Sequence, residues 1–551
     1  MALLERSPGG TGDSGVTGGA VASMEKSVAN AHGLLVSWWA ARIPDRPALI
    51  TSSGDRTFAE LNANINRLGR ALRARGLKVG DSVALMCTNR PEFVEVFLAA
   101  QRVGLRLTPI NWHLTGEEAG YIVDDCEAKA FVAAASLGDR AVRAASAVGV
   151  GDGDGDGLVR LAVGGSLPGF ESYEEVIAAH DGSDVDDPVL GTQMLYTSGT
   201  TGRPKGVHRS SGGAPSALVT VNLCGYDEDV ARSVDAHLCT GPLYHAAPLV
   251  FSVALPLLYG VPIVIMDRWD PAETLRLVEQ HGVTHTHMVP TMFHRLLALP
   301  DEVRRRYDVS SLRFVIHGAA PCPVALKQRL IEWLGPIVVE YYAATEGVGT
   351  MVDSPTWLAH PGTVGRPMLP ELVKVADDDG HALAPGEVGL VFLRTQPATR
   401  FDYYGDADKT AGAYRGDYFT LGDMGYMDSE GYLYLTDRSA NLIISGGVNI
   451  YPAEIDAILL EHPAVGDVAT IGVPDEEWGE SVKAVVQLAD GIEPSAELAS
   501  ELLAFCRDRL AHFKCPRSID FTPQLPREDT GKIYKRVLRE QYRAAAVTSP
   551  Q

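Results

Sequence analysis

Two stretches of this chain alternate strand and helix signals, and that rhythm most narrows what the chain can fold into. In the first, an apolar strand at 48–50 is followed by a helix over 58–76, with Leu61, Ile65, Leu68 and Leu72 at helical spacing and Gly76 closing it. A strand over 82–86, a helix over 92–103 and a strand over 130–133 continue it. The rhythm returns as helix 271–281, strand 285–289, helix 291–299, strand 313–318, helix 323–334 and strand 337–341. Strand–helix–strand repetition implies a parallel sheet covered by helices. The expected class is α/β, with a large N-terminal domain of two βαβ-layered subdomains. From Glu387 the pattern changes: 389–393 and 431–435 read as strands near glycine turns, a small β-rich subdomain. Beyond Asp437 lies a small α+β stretch, with helices at 452–460 and 495–510 and strands at 467–472 and 483–488. The expected division is a disordered tail over 1–25, an N-terminal domain over 26–436 and a C-terminal domain over 437–551. No internal repeat is evident.

A chain of 551 residues is long enough for several core-bearing layers. Its net charge of −22 argues against nonspecific binding to nucleic acid or anionic membranes, which needs a positive surface. Seven scattered cysteines, with no C-x-x-C pair, suit a reduced cytoplasm. The Gly/Ser/Thr-rich start has neither the basic end nor the apolar core of a signal peptide. The apolar run 248–266 is interrupted by Pro256, Gly260 and Pro262, so it reads as a buried helix to about Leu258, a turn and a strand, not as a membrane span. The Gly/Asp alternation at 151–157 lacks a calcium loop's closing Glu, since the twelfth position from Asp152 is Val163; it reads as an acidic hairpin tip.

The densest chemical signal is Tyr196-Thr-Ser-Gly-Thr-Thr-Gly-Arg-Pro-Lys-Gly206. Small residues let backbone N–H groups approach phosphate oxygens, hydroxyls add donors, and Arg203 and Lys205 add positive charge. A plain surface turn rarely stacks so many of these. The Walker A pattern fails here, because Pro204 stands where its second glycine belongs and Gly206 follows Lys205.

Four segments downstream carry further chemistry. Tyr341-Tyr-Ala-Ala-Thr-Glu-Gly347 ends a strand with a hydroxyl for phosphate and a carboxylate for Mg²⁺, a hard cation that prefers oxygen. Tyr418-Phe-Thr-Leu-Gly-Asp-Met-Gly425 offers an acidic group that can accept ribose hydroxyls. Residues 435–454 join the charged pair Asp437–Arg438 to an apolar strand and a Ser-Gly-Gly turn suited to close approach. Residues 525–536 hold Lys532 in a Thr-Gly-Lys turn. Upstream of these, Gly241-Pro-Leu-Tyr-His-Ala-Ala-Pro248 places one histidine before an apolar run.

Together these segments, in this order from 196 to 536, resemble the adenylate-forming (AMP-binding) superfamily, in its acyl-CoA synthetase or fatty-acid–CoA ligase branch. The resemblance implies ATP, Mg²⁺ and CoA as cofactors and substrates. It implies nucleotide contacts from Thr197, Ser198, Gly199, Thr200, Thr201 and Lys205, from Gly318, Ala319 and Ala320, and from Tyr341, Tyr342, Ala343, Thr345, Asp423, Arg438 and Lys532. Glu346 would hold the metal, Lys532 would be the catalytic lysine of adenylation, and Thr345 and His245 would assist. His245, Ala246, Ala247, Gly318 and Ala319 would border the acyl pocket, and Gly446 and Gly447 the CoA channel. The implied reaction turns a carboxylate into acyl-AMP and pyrophosphate, after which the C-terminal domain rotates about Asp437 and admits a thiol. Small residues at 246, 247 and 318–320 point to a bulky apolar acid. An acyl carrier protein is the alternative acceptor. A noncatalytic binding protein on this fold is disfavoured by Lys532, Glu346 and the complete loop.

Overall fold

The computed structural model describes residues 21–147, 157–197, 204–209, 222–230, 233–395, 400–438, 441–445, 448–475, 478–527 and 533–548. Among these, two compact units emerge. One comprises residues up to Met194 with Leu257–Pro262, and the other runs from Leu195 onward apart from that segment.

The first unit is a six-stranded, all-parallel sheet in the order Glu171–Ser172, Val159–Val163, Ala128–Ala134, Ser82–Met86, Arg106–Pro109, Thr192–Gln193. The expected helix at 58–76 is Phe58–Ala74. It starts where the Thr57 side chain accepts from Glu60 N–H and the Glu60 side chain accepts from Thr57 N–H, and it buries Leu61, Ile65, Leu68 and Leu72. The expected helix at 92–103 is Pro91–Arg102. Helices Gly116–Asp125 and Asp139–Ser146 and strand Arg106–Pro109 were not legible beforehand. The first two are short and alanine- or glycine-rich, so their apolar stripe is faint. They pack closely enough that a Cβ on Gly120 would lie 2.5 Å from that of Ala147. The Trp39 indole donates to the Leu257 carbonyl at 2.8 Å, which ties 257–262 into this unit. Val21–Ser23 is a short 3-10 turn, because Val21 is apolar enough to pack under Leu34 and Ala29.

The second unit contains a mostly parallel sheet. Strands Ile263–Ile265, His237–Cys239, His285–Met288, Phe314–His317 and Val338–Ala344 are parallel in that spatial order, then Gly347–Val352 and Arg366–Pro367 turn antiparallel. The expected helices appear as Pro271–His281, Pro290–Ala298 and Val324–Leu334. The run 248–266 follows its expected parse: helical turns over Ala246–Leu249, Val250–Ala254 and Leu255–Leu258, then the strand Ile263–Ile265. Among the described residues no helix is long and apolar enough to cross a membrane. The β-rich region is an antiparallel sheet of Val373–Ala376, Gly389–Arg394, Tyr418–Met427, Tyr414–Arg415 and Leu433–Arg438. Beyond it, Val465–Asp475 and Gly479–Leu488 form the long central hairpin of a last sheet, covered by helices Pro452–Leu459 and Ala496–Arg507 around Ile443, Ile455, Leu459 and Leu502.

Candidate active site

Every described residue singled out for nucleotide or acyl binding falls in the second unit. Ser198, Gly199, Thr200, Thr201, Gly446, Gly447 and Lys532 lie outside the described residues. What is described of the phosphate loop is its two stems. Leu195–Thr197 pairs antiparallel with Lys205–His208, with Thr197 opposite Lys205 and Tyr196 opposite Gly206. On its other edge the Lys205–His208 strand pairs with Asp402–Tyr403. The Lys205 ammonium is bound to the Asp406 carboxylate, and His208 Nδ1 sits 3.1 Å from Asp402 Oδ2.

The Thr345–Glu346 pair forms the tip of the hairpin between Val338–Ala344 and Gly347–Val352. Just past the loop stem, Arg209 donates to the carbonyls of Thr345 (2.7 Å) and Glu346 (3.0 Å) and so fixes that tip. The Glu346 carboxylate is 5% exposed. Tyr403 Oη donates to its Oε1 at 3.2 Å. Burial pushes this carboxyl above its ordinary value, and the hydrogen bonds and the nearby Arg209 and Arg438 charges do not fully offset it. A carboxylate so placed is short of positive charge. Mg²⁺ takes one or two carboxylates and completes its shell with water and substrate phosphates, so Glu346 fits it.

Asp423 is held on both oxygens. Tyr342 Oη donates to Oδ2 at 2.8 Å, and Arg438 Nε donates to Oδ1 at 2.8 Å. Burial alone would lower the Arg438 guanidinium, but the charge and hydrogen bond of Asp423, with Tyr342 and Glu346 nearby, together outweigh it and leave it raised. Strand pairing explains the meeting, since Asp423 stands opposite Arg438 in the sheet. Asp437, one residue earlier, accepts from Arg438 N–H (2.6 Å) and Asn441 Nδ2 (3.1 Å) on one oxygen and from Ala453 N–H (2.9 Å) on the other. It thereby satisfies an orphan amide in the first turn of helix Pro452–Leu459.

Gly318 ends strand Phe314–His317 with no room for a side chain: a Cβ there would lie 2.6 Å from Tyr341 Cζ and 2.7 Å from Tyr341 O. Ala319 follows at φ 68°, the left-handed region that non-glycine residues rarely occupy and that clusters at functional sites. Tyr341 is buried and its Oη lies 3.0 Å from His287 Nε2. Phe251 stacks on the His287 ring. Burial pushes the imidazole down to about 3, so it is neutral. His245 is half-buried at the start of the Ala246–Leu249 turn, with its ring against Tyr244.

The sequence reading missed Arg209, Tyr403, His287 and the 402–409 segment. The Tyr-Tyr-Gly-Asp run at 403–406 was a signal, but no pattern tied it to a loop two hundred residues away.

Buried Glu346 at the hairpin tip, hydrogen-bonded to Tyr403, and Asp423 clamped by Tyr342 and Arg438 have the chemistry to receive a metal and a nucleotide. The profile of the AMP-binding enzyme family matches residues 36–401, and that of the AMP-binding enzyme C-terminal domain matches residues 454–532. The chain belongs to the AMP-binding enzyme family. It is 35% identical to a feruloyl-CoA synthase of an Amycolatopsis species over 493 residues, 88% of this chain and 94% of that protein. It is 35% identical to the long-chain-fatty-acid–CoA ligase FadD13 of Mycobacterium tuberculosis over 496 residues, 89% of this chain and 93% of that protein. The solved o-succinylbenzoate CoA synthetase of Bacillus subtilis, in complex with its acyl-adenylate intermediate, superposes with a TM-score of 0.75 at 26% identity, covering 94% of this chain and 98% of that one.

Proposed function

We propose that the chain is an ATP-dependent acyl-CoA synthetase that activates a bulky apolar carboxylic acid. In the first half-reaction a carboxylate oxygen attacks the α-phosphorus of ATP, the bond to the β-phosphate breaks, and acyl-AMP and pyrophosphate form. In the second, a CoA thiol attacks the acyl carbon and AMP leaves. The observation that carries this reading is the pairing, in one unit, of buried Glu346 under Tyr403 with Asp423 clamped by Tyr342 and Arg438.

Each residue's part follows from its surroundings. Glu346 holds Mg²⁺, which would neutralise the β- and γ-phosphates. Arg209 keeps the Thr345–Glu346 tip in place. Asp423 accepts from the ribose, held in orientation by its two partners. Lys205 and the 198–201 segment grip the phosphates. Lys532 neutralises the charge that shifts onto the α-phosphate during attack. Asp437 is the hinge between 26–436 and 437–551, and Gly446 and Gly447 line the thiol's path. Ala246, Ala247, Gly318 and Ala319 leave space for a large acyl group beside His245. Feruloyl and long-chain acyl groups, named for two relatives, are both large. The site of action is the cytoplasm, in keeping with seven cysteines free of disulfide pairing.

The decisive experiment is acid-dependent ATP–pyrophosphate exchange across a panel from acetate to ferulate and palmitate. CoA and a phosphopantetheinylated carrier protein serve as alternative thiol acceptors. Exchange with the large acids and thioester formation on CoA are expected. A preference for acetate would sink the substrate assignment, and thioester on the carrier protein alone would sink the acceptor.

A further inference from the structure

The 402–409 segment carries a cation that none of the roles above uses. The Lys205–His208 strand pairs with Asp402–Tyr403, and Tyr404 N–H donates to the Gly206 carbonyl at 2.9 Å, so the chain beyond Tyr403 runs back alongside the loop stem. Asp406 there binds the Lys205 ammonium and also starts helix Ala407–Ala413, accepting from Lys409 N–H at 3.0 Å. The Lys409 ammonium lies 4.7 Å from the Tyr403 ring centroid, and the hydroxyl of that same ring donates to Glu346. One tyrosine therefore links Lys409 to the carboxylate assigned to the metal.

A structural explanation exists for each contact alone: a helix cap, a cation over a ring, a surface ion pair. It does not account for their sum. The Lys205 ammonium binds the Asp406 carboxylate, and the Lys409 ammonium, over the Tyr403 ring, lies close enough to feel the charges of both. Burial lowers the Lys409 pKa, and the proximity of Lys205 lowers it further, so the two cations repel. Folding thus places two ammoniums beside each other and beside Asp406, an arrangement suited to a multivalent anion that can take the carboxylate's place.

We propose that Lys409 is a second pyrophosphate-binding cation beside Lys205, and that Asp406 is a carboxylate stand-in which the β,γ-phosphates of ATP displace. The proposal rests on the adenylation reading and deepens it. It makes phosphate entry an exchange of one anion for another, with no lysine exposed unpaired between turnovers.

Calorimetric titration with inorganic pyrophosphate and Mg²⁺ tests it directly. K409M keeps an apolar stem on the Tyr403 ring and is expected to weaken pyrophosphate binding about tenfold, whereas K409R restores most of it. D406N retains a side chain that caps helices well and is expected to bind pyrophosphate several-fold tighter. Wild-type affinity in K409M overturns the role of Lys409, and affinity no tighter than wild type in D406N overturns the displacement. Exchange activity of the wild type separates the two levels: if it is present while K409M binds normally, only this inference fails; if it is absent, the adenylation reading fails.

Discussion

The two units build similar layered sheets, and one buried polar cluster in each is finished in an opposite way. In the first, the cluster around Arg102 is closed on itself. Arg102, 1% exposed, donates to Asn62 and Asn66 at 2.7 Å each and to the Gly33 carbonyl at 3.1 Å. Asp184, 3.6 Å from that guanidinium, accepts from Ser37 (2.7 Å), Asn62 (3.0 Å) and Asn66 (3.0 Å) on a single oxygen. In the second unit, Glu346 is as deeply buried as many core residues, and its backbone and Tyr403 (3.2 Å) hydrogen bonds, with the Arg209 and Arg438 charges, do not offset that burial. The difference separates polarity closed by its own partners from polarity that its partners leave short. A saturated network fixes the fold, whereas an undersupplied carboxylate lowers apo stability in return for affinity.

Asp184→Ala should give the largest effect, because it strands a buried guanidinium. A loss of about 3–5 kcal/mol in urea unfolding is expected, with KM for ATP unchanged in the folded fraction. A loss below about 1 kcal/mol would mean that the network is not closed in the way described. Glu346→Gln should reverse that profile: adenylation falls by roughly 10²–10³, while the unfolding midpoint stays level or rises. Gly318→Ala pushes a methyl into the backbone and ring of Tyr341, so overpacking of about 1–3 kcal/mol is expected, with a raised KM for ATP and an unchanged KM for CoA.

The smallest effect is in pH dependence, where the two carboxylates carry opposite signs. Glu346 is raised by burial above its ordinary 4.5, so native protein keeps a proton that unfolded chain has lost. Stability therefore falls as pH rises through the window above that value. Burial also pushes Asp184 up, but hydrogen bonds from Asn62 and Ser37 and the Arg102 charge outweigh it and leave the group below its ordinary 3.8. Its contribution is complete above that value and is lost as pH falls through the depressed one. Unfolding midpoints of wild type and E346Q, read from about pH 3 to about pH 7, should differ in slope only on the upper side.

Periodicity made the helices legible where it was strong, as at Leu61, Ile65, Leu68 and Leu72, and failed for Gly116–Asp125 and Asp139–Ser146, where small residues pack helices by proximity and leave little apolar pattern. Asp423, Arg438 and the Thr345–Glu346 tip were readable because each sits in a short local motif. Tyr403, Arg209 and Lys409 were not, since their meaning comes from pairing across the chain. The apolar run before the phosphate-type loop is two strands, Thr192–Gln193 and Leu195–Thr197, and the division between units falls after Met194. An unbroken apolar run cannot reveal such a division.

The three-stranded ribbon of Leu195–Thr197, Lys205–His208 and Asp402–Tyr403 also bears on how the protein is made. His208 and Asp402 are 194 positions apart. At about 5–20 residues per second, a ribosome needs roughly 10–40 seconds to add the outer strand after the inner two have emerged. For that interval the loop stem has an unpaired edge, and Lys205 has no Asp406 to bind. A nascent chain of this protein thus completes the ribbon only after residues 402–403 have emerged.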